Sequence, residues 1–335
     1  IFLRKPDDPF TTVTIEETGA RETIWTTFGF GGRVEQIDLD LTSTATRALI
    51  RGWFEWFASN NVAIVRLDAV GYVVKKPGTS CFMVEPEIYD VLDWLIEAAA
   101  EYDLVVLPEI HDLYETHRKL SARGYWTYDF VLPALVLQAF ETGEATRLAA
   151  HLASSPERQF TTLDCHDGIP VRPDLDGVLG ADEMTALADG ITARGGNINR
   201  ILGDPGDGPD VHQMNCTYYS ALDADDGRDL AARAIQLFAR GVPQLYYVGL
   251  LAGENDLEAV ERTGEGRAIN RHDFSAAEIA AALERPVVQG ILELVRLRRE
   301  HPAFEGQLAV EADGAELRLD WTCLLYTSDA ADELS

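Results

Sequence analysis

The feature that most constrains the fold of this chain is a repeated alternation of short apolar segments with longer amphipathic ones. Apolar segments of strand length occupy 62–68, 104–111, 126–130, 159–167 and 242–248. Helical patterns occupy 47–59, 86–102, 112–122, 132–153, 181–194, 227–240 and 285–300. Continuously apolar strands are typical of a parallel sheet whose two faces are covered by helices. The alternation therefore predicts an α/β fold built from five visible strand–helix units.

Acids stand at the ends of three predicted strands, as Asp68, Glu109 and Asp167. Ligands bind at the carboxyl ends of the strands both in a (β/α)8 barrel and in a doubly wound sheet. No glycine-rich phosphate loop follows any of these strands, which disfavours the nucleotide-binding alternative. One acid at a strand end is more often a helix cap or an ion-pair partner, but three in chain order favour an active site. We therefore expect a (β/α)8 TIM barrel that gathers the three acids in one pocket.

The neighbours of two of these acids suggest different roles for them. Glycosyl transfer with retention needs a carboxylate nucleophile and a carboxylic acid about 5–5.5 Å apart. Arg66 lies two residues before Asp68, on the same face of the strand, and favours its ionised form. Glu109 follows Pro108 in an apolar stretch, which predicts a raised pKa and a proton donor.

Several segments resemble known motifs in the order in which they occur. RLDAVGY at 66–72, PEIH at 108–111 and LDCHDG at 163–168 resemble the ordered motifs of the α-amylase superfamily, glycoside hydrolase family 13. Within that superfamily, further stretches resemble the sucrose phosphorylases, at 76–82, 128–130, 215–222, 241–249, 253–256 and 270–272. The resemblance covers about residues 1–320 and implies a retaining enzyme that transfers a glucosyl unit.

By that resemblance, Asp68 is the nucleophile and Glu109 is the general acid and base. Asp167 stabilises the oxocarbenium-like transition state, with the help of His166. Arg66 orients Asp68 and keeps it ionised. The resemblance also implies substrate-binding roles for residues around the glucosyl unit and on the acceptor side, which are Arg271, Tyr72, Phe28, Gln213 and His212.

The resemblance further implies a double displacement in which inorganic phosphate takes the glucosyl unit from sucrose or sucrose 6′-phosphate. His212 stands where tyrosine is expected for sucrose, and Arg4 or Lys5 supplies a further cation, so a phosphorylated donor stays open beside a tolerated aromatic replacement. The alternatives are an α-glucosidase or transglucosidase, a phosphorylase for an acceptor such as glycerate or glycerol, and a non-catalytic scaffold. Retention of all three acids disfavours the scaffold.

The resemblance also predicts the organisation of the chain. Residues 1–42 correspond to the remnant of a loop domain inserted after the third barrel strand. Residues 43–303 would hold barrel strands 4–8, so that the first three strands precede residue 1. Residues 304–322 would begin a C-terminal β domain, and 323–335 resemble a non-native tail.

The amino-acid composition limits the possible binding partners of the protein. The chain carries 56 acidic against 28 basic residues, and its net charge of −28 argues against nucleic acid. No run reaches the roughly 18 apolar residues of a membrane helix. Four scattered cysteines indicate reduced thiols in the cytoplasm, and seven histidines without ligand spacing predict no metal and no cofactor. A phosphate substrate would then require a local basic spot, which we expect from Arg66, Arg271 and the histidine-bearing loop.

Overall fold

The computed structural model describes residues 10–28, 36–171, 178–200 and 211–323, without the side chains of Asn199, Arg200 and His212. The predicted extra cation at Arg4 or Lys5 therefore lies outside the described residues, as does the predicted acceptor contact of the His212 side chain. The chain divides into two compact units, Ile1–His111 and Asp112–Ser335.

The first unit contains an antiparallel hairpin, two helices and a parallel strand pair. Its elements are β1 (Phe10–Thr14), β2 (Arg21–Trp25), α1 (Thr44–Ser59), β3 (Ile64–Leu67), a 3-10 turn (Val70–Tyr72), α2 (Glu87–Ala100) and β4 (Val105–Pro108). Helix α1 begins where the Ser43 side chain accepts a hydrogen bond from the Thr46 amide. It buries Ile50 and Phe54, while α2 buries Leu92 and Leu95, at the spacing of one helical face.

The parallel pairing of β3 with β4 places two predicted catalytic acids at one edge of the sheet. Arg66 is in register with Leu107, and the amide of Glu109 donates to the Leu67 carbonyl at 2.9 Å. This hydrogen bond continues the ladder beyond both strands. Asp68 and Glu109 therefore follow neighbouring strands at their carboxyl ends, as the sequence predicts.

The second unit contains a three-stranded parallel sheet in the order β10–β6–β5, surrounded by helices. These strands are β5 (Thr127–Asp129), β6 (Gln159–Thr161) and β10 (Val242–Pro243). The helices are α3 (Tyr114–Ala122), α4 (Leu132–Thr142), α5 (Thr146–Ala153), α6 (Ala181–Ala193), α7 (Tyr218–Ala221), α8 (Asp226–Phe238), α9 (Tyr247–Leu250), α10 (Leu257–Thr263), α11 (Ala276–Leu283) and α12 (Pro286–Glu300), with 3-10 helices at Gly266–Asn270 and Pro302–Glu305.

Several predicted elements of this unit are shorter than the patterns indicated. The strand predicted over 242–248 ends at Pro243, and α9 begins at Tyr247. The helical pattern at 132–153 is divided because Gly143 ends α4 with a φ of +71°. The strand predicted over 159–167 ends at Thr161, and Cys165 bonds instead with Gly168 across a tight turn. The shorter strand leaves the polar motif in the turn that follows it.

The segment 195–212 is rich in Gly, Asp and Pro, a composition that predicts an irregular loop reaching to Gln213, and this prediction is partly wrong. Strands β8 (Asn197–Arg200) and β9 (Val211–Asn215) pair antiparallel, and β9 also pairs with β7 (Ile169–Pro170). Gln213 therefore lies in a strand rather than a loop. The buried Met214 anchors that strand in the core, which overrides the turn-forming composition of the preceding segment.

The last elements are β11 (Gln307–Asp313) and β12 (Glu316–Thr322), which form an antiparallel hairpin. Val310, Leu317 and Leu319 pack against the main core of the second unit. The assignment of 304–322 to a separate β domain stays a prediction, as do the other predicted domain boundaries and the three preceding strands. Among the described residues, we find no helix whose length and hydrophobicity would let it cross a membrane.

A fully buried ion pair lies behind the polar motif of 163–168. Arg233 in α8 donates to both oxygens of Asp164 at 3.0 and 2.9 Å, and also to Gln236 at 3.1 Å. Burial, the largest effect, raises the pKa of the neighbouring Asp229 carboxyl to about 6, against the opposing charge of Arg233. The backbone of α9 approaches the pair of Arg233 and Asp164 closely. A Cβ on Gly249 would lie 2.1 Å from the Arg233 Nη2 and 2.3 Å from an Asp164 oxygen.

We expect Gly249→Ala to lower the free energy of unfolding by about 1–3 kcal/mol, because the added methyl group overlaps this buried pair. Gly52→Ala is the control, since its Cβ meets nothing within 4 Å in an exposed part of α1. That variant should gain about 0.5–1 kcal/mol from helix propensity. Urea denaturation of both variants measures the difference, and equal stabilities would contradict the predicted overlap.

Candidate active site

Arg66 contacts two carboxylates in the first unit. Its Nη1 donates to Asp68 Oδ1 at 2.6 Å, and its Nη2 lies 2.6 Å from Glu109 Oε1. The two acids are therefore within reach of one planar group. The Asp68 side chain is 70% exposed, whereas that of Glu109 is 8% exposed. An accessible carboxylate beside a cation has the properties of a nucleophile, as the sequence predicts for Asp68.

The predicted raised pKa of Glu109 is wrong for this structure. Burial raises the pKa and is the largest single effect, but it is outweighed by several others. A hydrogen bond and the charge of His111, the charge of Arg66 and the amide of Ala69 together lower the pKa of Glu109 to about 2. The distances to the His111 Nε2 and the Ala69 amide are 3.2 and 3.3 Å. The sequence showed the apolar surroundings of Glu109 but not that Arg66 reaches across to it.

Aromatic residues line a cavity of about 330 Å³ next to these acids. Phe28 and Tyr72, both predicted to bind substrate, lie edge to face with centroids 5.3 Å apart. They share this cavity with Arg66, Asp68 and a residue that the sequence reasoning missed, Lys75. A chamber with carboxylates at one side and aromatic rings at another suits a sugar ring, which presents hydroxyl groups and apolar faces.

Lys75 is held within the first unit by several acceptors. Its Nζ lies 2.7 Å from Asp38, 2.7 Å from Thr27 Oγ1 and 2.6 Å from the Tyr72 carbonyl oxygen. It also lies 5.5 Å from the centroid of the Trp25 ring. The sequence could have indicated a functional role for Lys75, because this residue directly precedes the stretch at 76–82 that resembles the sucrose phosphorylases.

In the second unit, Asp167 accepts hydrogen bonds from two arginines. Arg271 Nη2 lies 3.1 Å and Arg267 Nη1 lies 2.8 Å from the same oxygen, Oδ1. The other oxygen lies 3.4 Å from the His166 Nε2. The structure therefore brings together the predicted residues Asp167, His166 and Arg271. Sequence reasoning missed Arg267, although its position four residues before Arg271 was a signal.

The turn that carries Asp167 depends on a glycine and an asparagine. Gly168 has a φ of +108°, and a Cβ at this position would lie 2.5 Å from the Met214 carbonyl oxygen. The Asn270 side chain donates to the Cys165 carbonyl at 3.0 Å, and Arg271 Nε donates to the His166 carbonyl at 2.6 Å. These contacts fix the turn to the segment that carries both arginines.

Hydrogen bonds also hold the C-terminal end of this segment, residues 270–272. The Tyr246 and Tyr247 hydroxyls donate to the carbonyl oxygens of Asn270 and His272 at 3.1 and 2.9 Å. The His272 ring joins Asp256 at 2.6 Å to Glu278 at 3.3 Å. Hydrogen bonds and charge from these carboxylates, that of Asp256 foremost, raise the pKa of His272.

The acceptor-side roles of Gln213 and His212 stay predictions. The Gln213 side chain is buried in β9, and its predicted role on the fructosyl or phosphate side stays a prediction.

One ligand atom each from Cys165, His166 and Asp167 lies within 4.8 Å of the others, a spacing that a metal ion could use. However, two guanidinium groups already occupy Asp167 Oδ1, and they would repel a cation. This arrangement favours the prediction of no metal at the site, without testing it.

No protein-family model matches the chain. Individual proteins do match it. The chain is 50% identical to the sucrose 6(F)-phosphate phosphorylase of Thermoanaerobacterium thermosaccharolyticum, over 96% of this chain and 66% of that protein. It is 44% identical to the sucrose phosphorylase of Streptococcus mutans, over 93% and 64%. It is 38% identical to the sucrose 6(F)-phosphate phosphorylase of Ilumatobacter coccineus, over 99% and 68%. The chain thus spans about two thirds of the length of these curated relatives.

Solved structures agree with these matches. The crystal structure of sucrose 6F-phosphate phosphorylase from Thermoanaerobacter thermosaccharolyticum has a TM-score of 0.91 at 50% identity, over 96% of this chain and 66% of that chain. An α-amylase from H. orenii has a TM-score of 0.60 at 15% identity, over 95% and 60%. The fold is therefore of the α-amylase type, as found in (β/α)8-barrel enzymes of glycoside hydrolase family 13. Within that class, the chain belongs to the sucrose phosphorylase family.

We expect Arg66→Met to raise the pKa of Glu109 by about one unit or more, because burial then opposes ionisation with one fewer cation nearby. Titration of the Glu109 carboxyl carbon by NMR, assigned with Glu109→Gln, measures the change. Arg51→Met is the control, since Arg51 pairs with the exposed Glu101 instead. An unchanged Glu109 titration in Arg66→Met would contradict the importance of this contact.

The low pKa also has a consequence for stability. Since the pKa of Glu109 is about 2 in the folded protein and 4.5 as its ordinary value, ionised Glu109 stabilises the fold above about pH 4.5. This contribution should disappear as the pH falls towards 2. Acid denaturation curves of the wild type and Glu109→Gln should therefore converge as the pH falls towards 2. Curves that stay parallel over that range would contradict the low pKa.

Proposed function

We propose that this protein is a retaining glucoside phosphorylase that cleaves sucrose or sucrose 6′-phosphate with inorganic phosphate. The observation that carries the proposal is the contact of Arg66 with both Asp68 and Glu109, one exposed and one buried. A retaining mechanism needs such a pair of carboxyl groups in different environments. The family supplies the substrate class, since relatives of this chain are phosphorylases named for sucrose and its 6(F)-phosphate.

In the first step, the Asp68 carboxylate attacks the anomeric carbon of the glucosyl unit. The bond from that carbon to the fructosyl oxygen breaks, and Glu109 gives its proton to the departing oxygen. Fructose or fructose 6-phosphate leaves, and a β-glucosyl ester of Asp68 remains. Arg66 holds the Asp68 carboxylate by a hydrogen bond of 2.6 Å until the ester forms.

Glu109 must be protonated for this step, although its pKa is about 2 in the structure. We therefore infer that donor binding weakens the contact between Arg66 and Glu109. Loss of that contact removes one of the charges that lower the pKa of Glu109, while burial, the largest single effect, still raises it. Catalytic contacts commonly reach their working geometry only in the complex with substrate.

In the second step, a phosphate oxygen attacks the anomeric carbon and the ester bond to Asp68 breaks. The product is α-glucose 1-phosphate with net retention, and Glu109 recovers its proton from hydrogen phosphate or from solvent. Because phosphate is already anionic, this step needs positive charge more than a strong base. We assign Asp167 to transition-state stabilisation by its family motif, with His166 beside it at 3.4 Å.

The cellular setting belongs to the same proposal. We place the enzyme in the cytoplasm, which agrees with four cysteines that are free among the described residues. Small molecules are its partners, and the net charge of −28 disfavours nucleic acid.

The test is to incubate the protein expressed from its complete gene with phosphate and each donor in turn. We expect α-glucose 1-phosphate from at least one of sucrose and sucrose 6′-phosphate, measured by a coupled phosphoglucomutase assay. Reactions without phosphate are the control. Release of glucose alone, or its transfer to another sugar, would overturn the phosphorylase and favour the α-glucosidase or transglucosidase alternative.

Removing the nucleophile should abolish the reaction. We expect Asp68→Asn to lower kcat by about 10⁴-fold or more, because the ester can no longer form. Asp103→Asn is a matched control, since Asp103 is exposed and its φ of +58° is one that asparagine also adopts. Activity of Asp68→Asn equal to that of this control would refute the assigned role.

A further inference from the structure

Arg267 stands out because it shares its only carboxylate partner with another arginine. Arg267 and Arg271 both donate to Oδ1 of Asp167, and neither contacts another carboxylate among the described residues. By contrast, Arg194 and Arg233 each contact two acids. In a chain with a net charge of −28, two guanidiniums on one carboxylate make a local surplus of positive charge.

The two arginines differ in how firmly they are held. Arg271 has a second contact, from its Nε to the His166 carbonyl at 2.6 Å, and its side chain is 34% exposed. Arg267 has a single polar contact within the described part of the chain, the one with Asp167, and its side chain is 47% exposed. Arg267 is therefore the guanidinium that can turn towards a new anion while Arg271 keeps its place on Asp167.

The backbone beneath Arg267 is fixed, so this movement is limited to the side chain. Gly266 precedes it, and a Cβ on Gly266 would lie 2.8 Å from the Asn197 side chain, which itself donates to the Gly266 carbonyl at 3.0 Å. The three residues that follow Arg267 are buried. A guanidinium on a rigid base loses little backbone entropy when it binds an anion, which favours affinity.

We propose that Arg267 binds a dianionic phosphate group beside Asp167, and that this group is the attacking inorganic phosphate rather than a phosphate on the donor. The inference rests on the proposed function. A planar fork of donors matches a tetrahedral oxyanion in two contacts, and Asp167 supplies an alternative partner while phosphate is absent. Arg267 thus joins Arg271 in the local basic spot that a phosphate substrate requires.

The experiment compares Arg267→Gln with the wild type, both expressed from the complete gene. The KM for inorganic phosphate should rise about tenfold to hundredfold, the usual loss when a charged hydrogen bond is removed. Formation of the glucosyl ester, followed as the burst of fructose or fructose 6-phosphate before phosphate is added, should stay within about twofold, since Arg271 still contacts Asp167. Arg267→Lys should recover part of the phosphate affinity and shows whether the variants fold.

Arg262→Gln removes a positive charge from the end of α10, five residues earlier, and serves as the matched control. Its KM for phosphate should equal that of the wild type, which separates a local contact from the general field of the protein. An unchanged phosphate KM in Arg267→Gln would overturn the proposal. So would an equal loss in the burst, because Arg267 would then position Asp167.

The two sources of phosphate are separated by the two donors. With either donor, the proposal expects the KM for inorganic phosphate to rise and the KM for the donor to stay constant. A rise confined to the KM for sucrose 6′-phosphate would overturn it, because Arg267 would then bind the phosphate of the donor. If the wild type makes no α-glucose 1-phosphate, the proposed function itself fails, and this outcome is distinct from failure of the Arg267 assignment.

Discussion

The chemistry of the first unit depends on one guanidinium group between two carboxylates. Arg66 reaches Asp68 and Glu109 because β3 and β4 pair in parallel, in a register that ends both strands at the same edge. A shift of one residue would move the Arg66 side chain to the other face of the sheet. The register of two short strands, rather than a flexible loop, therefore sets the contacts that Arg66 makes with the two acids.

In the second unit, cations also compensate the charges of acidic side chains, and more groups take part. Asp167 lies on a tight turn, two arginines contact its carboxylate, and the buried pair of Asp164 and Arg233 lies behind the strand. An unpaired charge at such depth would cost several kcal/mol, so each buried acid needs its cation in place. Asp229 also lies near this pair, 3.7 Å from Arg233. The charge of Arg233 does not offset the burial of Asp229, which raises the pKa of its carboxyl to about 6.

Much of this arrangement could be predicted from the sequence, since apolar runs show where strands end. The positions of Asp68 and Glu109 follow from that local signal, whereas Asp167 lies in a turn beyond a strand that already ends at Thr161. The contact between Arg66 and Glu109, the second arginine on Asp167 and the strand that holds Gln213 could not be predicted. Each depends on tertiary pairing between segments distant in sequence, up to 100 residues apart for Arg267 and Asp167. The pKa of Glu109 was mispredicted because the apolar surroundings indicated only burial. The hydrogen bond and charge of His111, two residues away, and the charge of Arg66, 43 residues away, together outweigh that burial.

The fastening of residues 266–272 has a consequence for redesign of the enzyme. Asn197 holds the start of this segment, and Tyr246, Tyr247 and His272 hold its end through backbone carbonyls and helix-capping acids. Most of these contacts involve the main chain of the segment, so the side chains at its exposed positions can be exchanged without loosening it. Libraries aimed at new anionic acceptors can therefore vary Arg267 while they keep the length of the segment and Arg271, whose Nε holds the turn that carries Asp167.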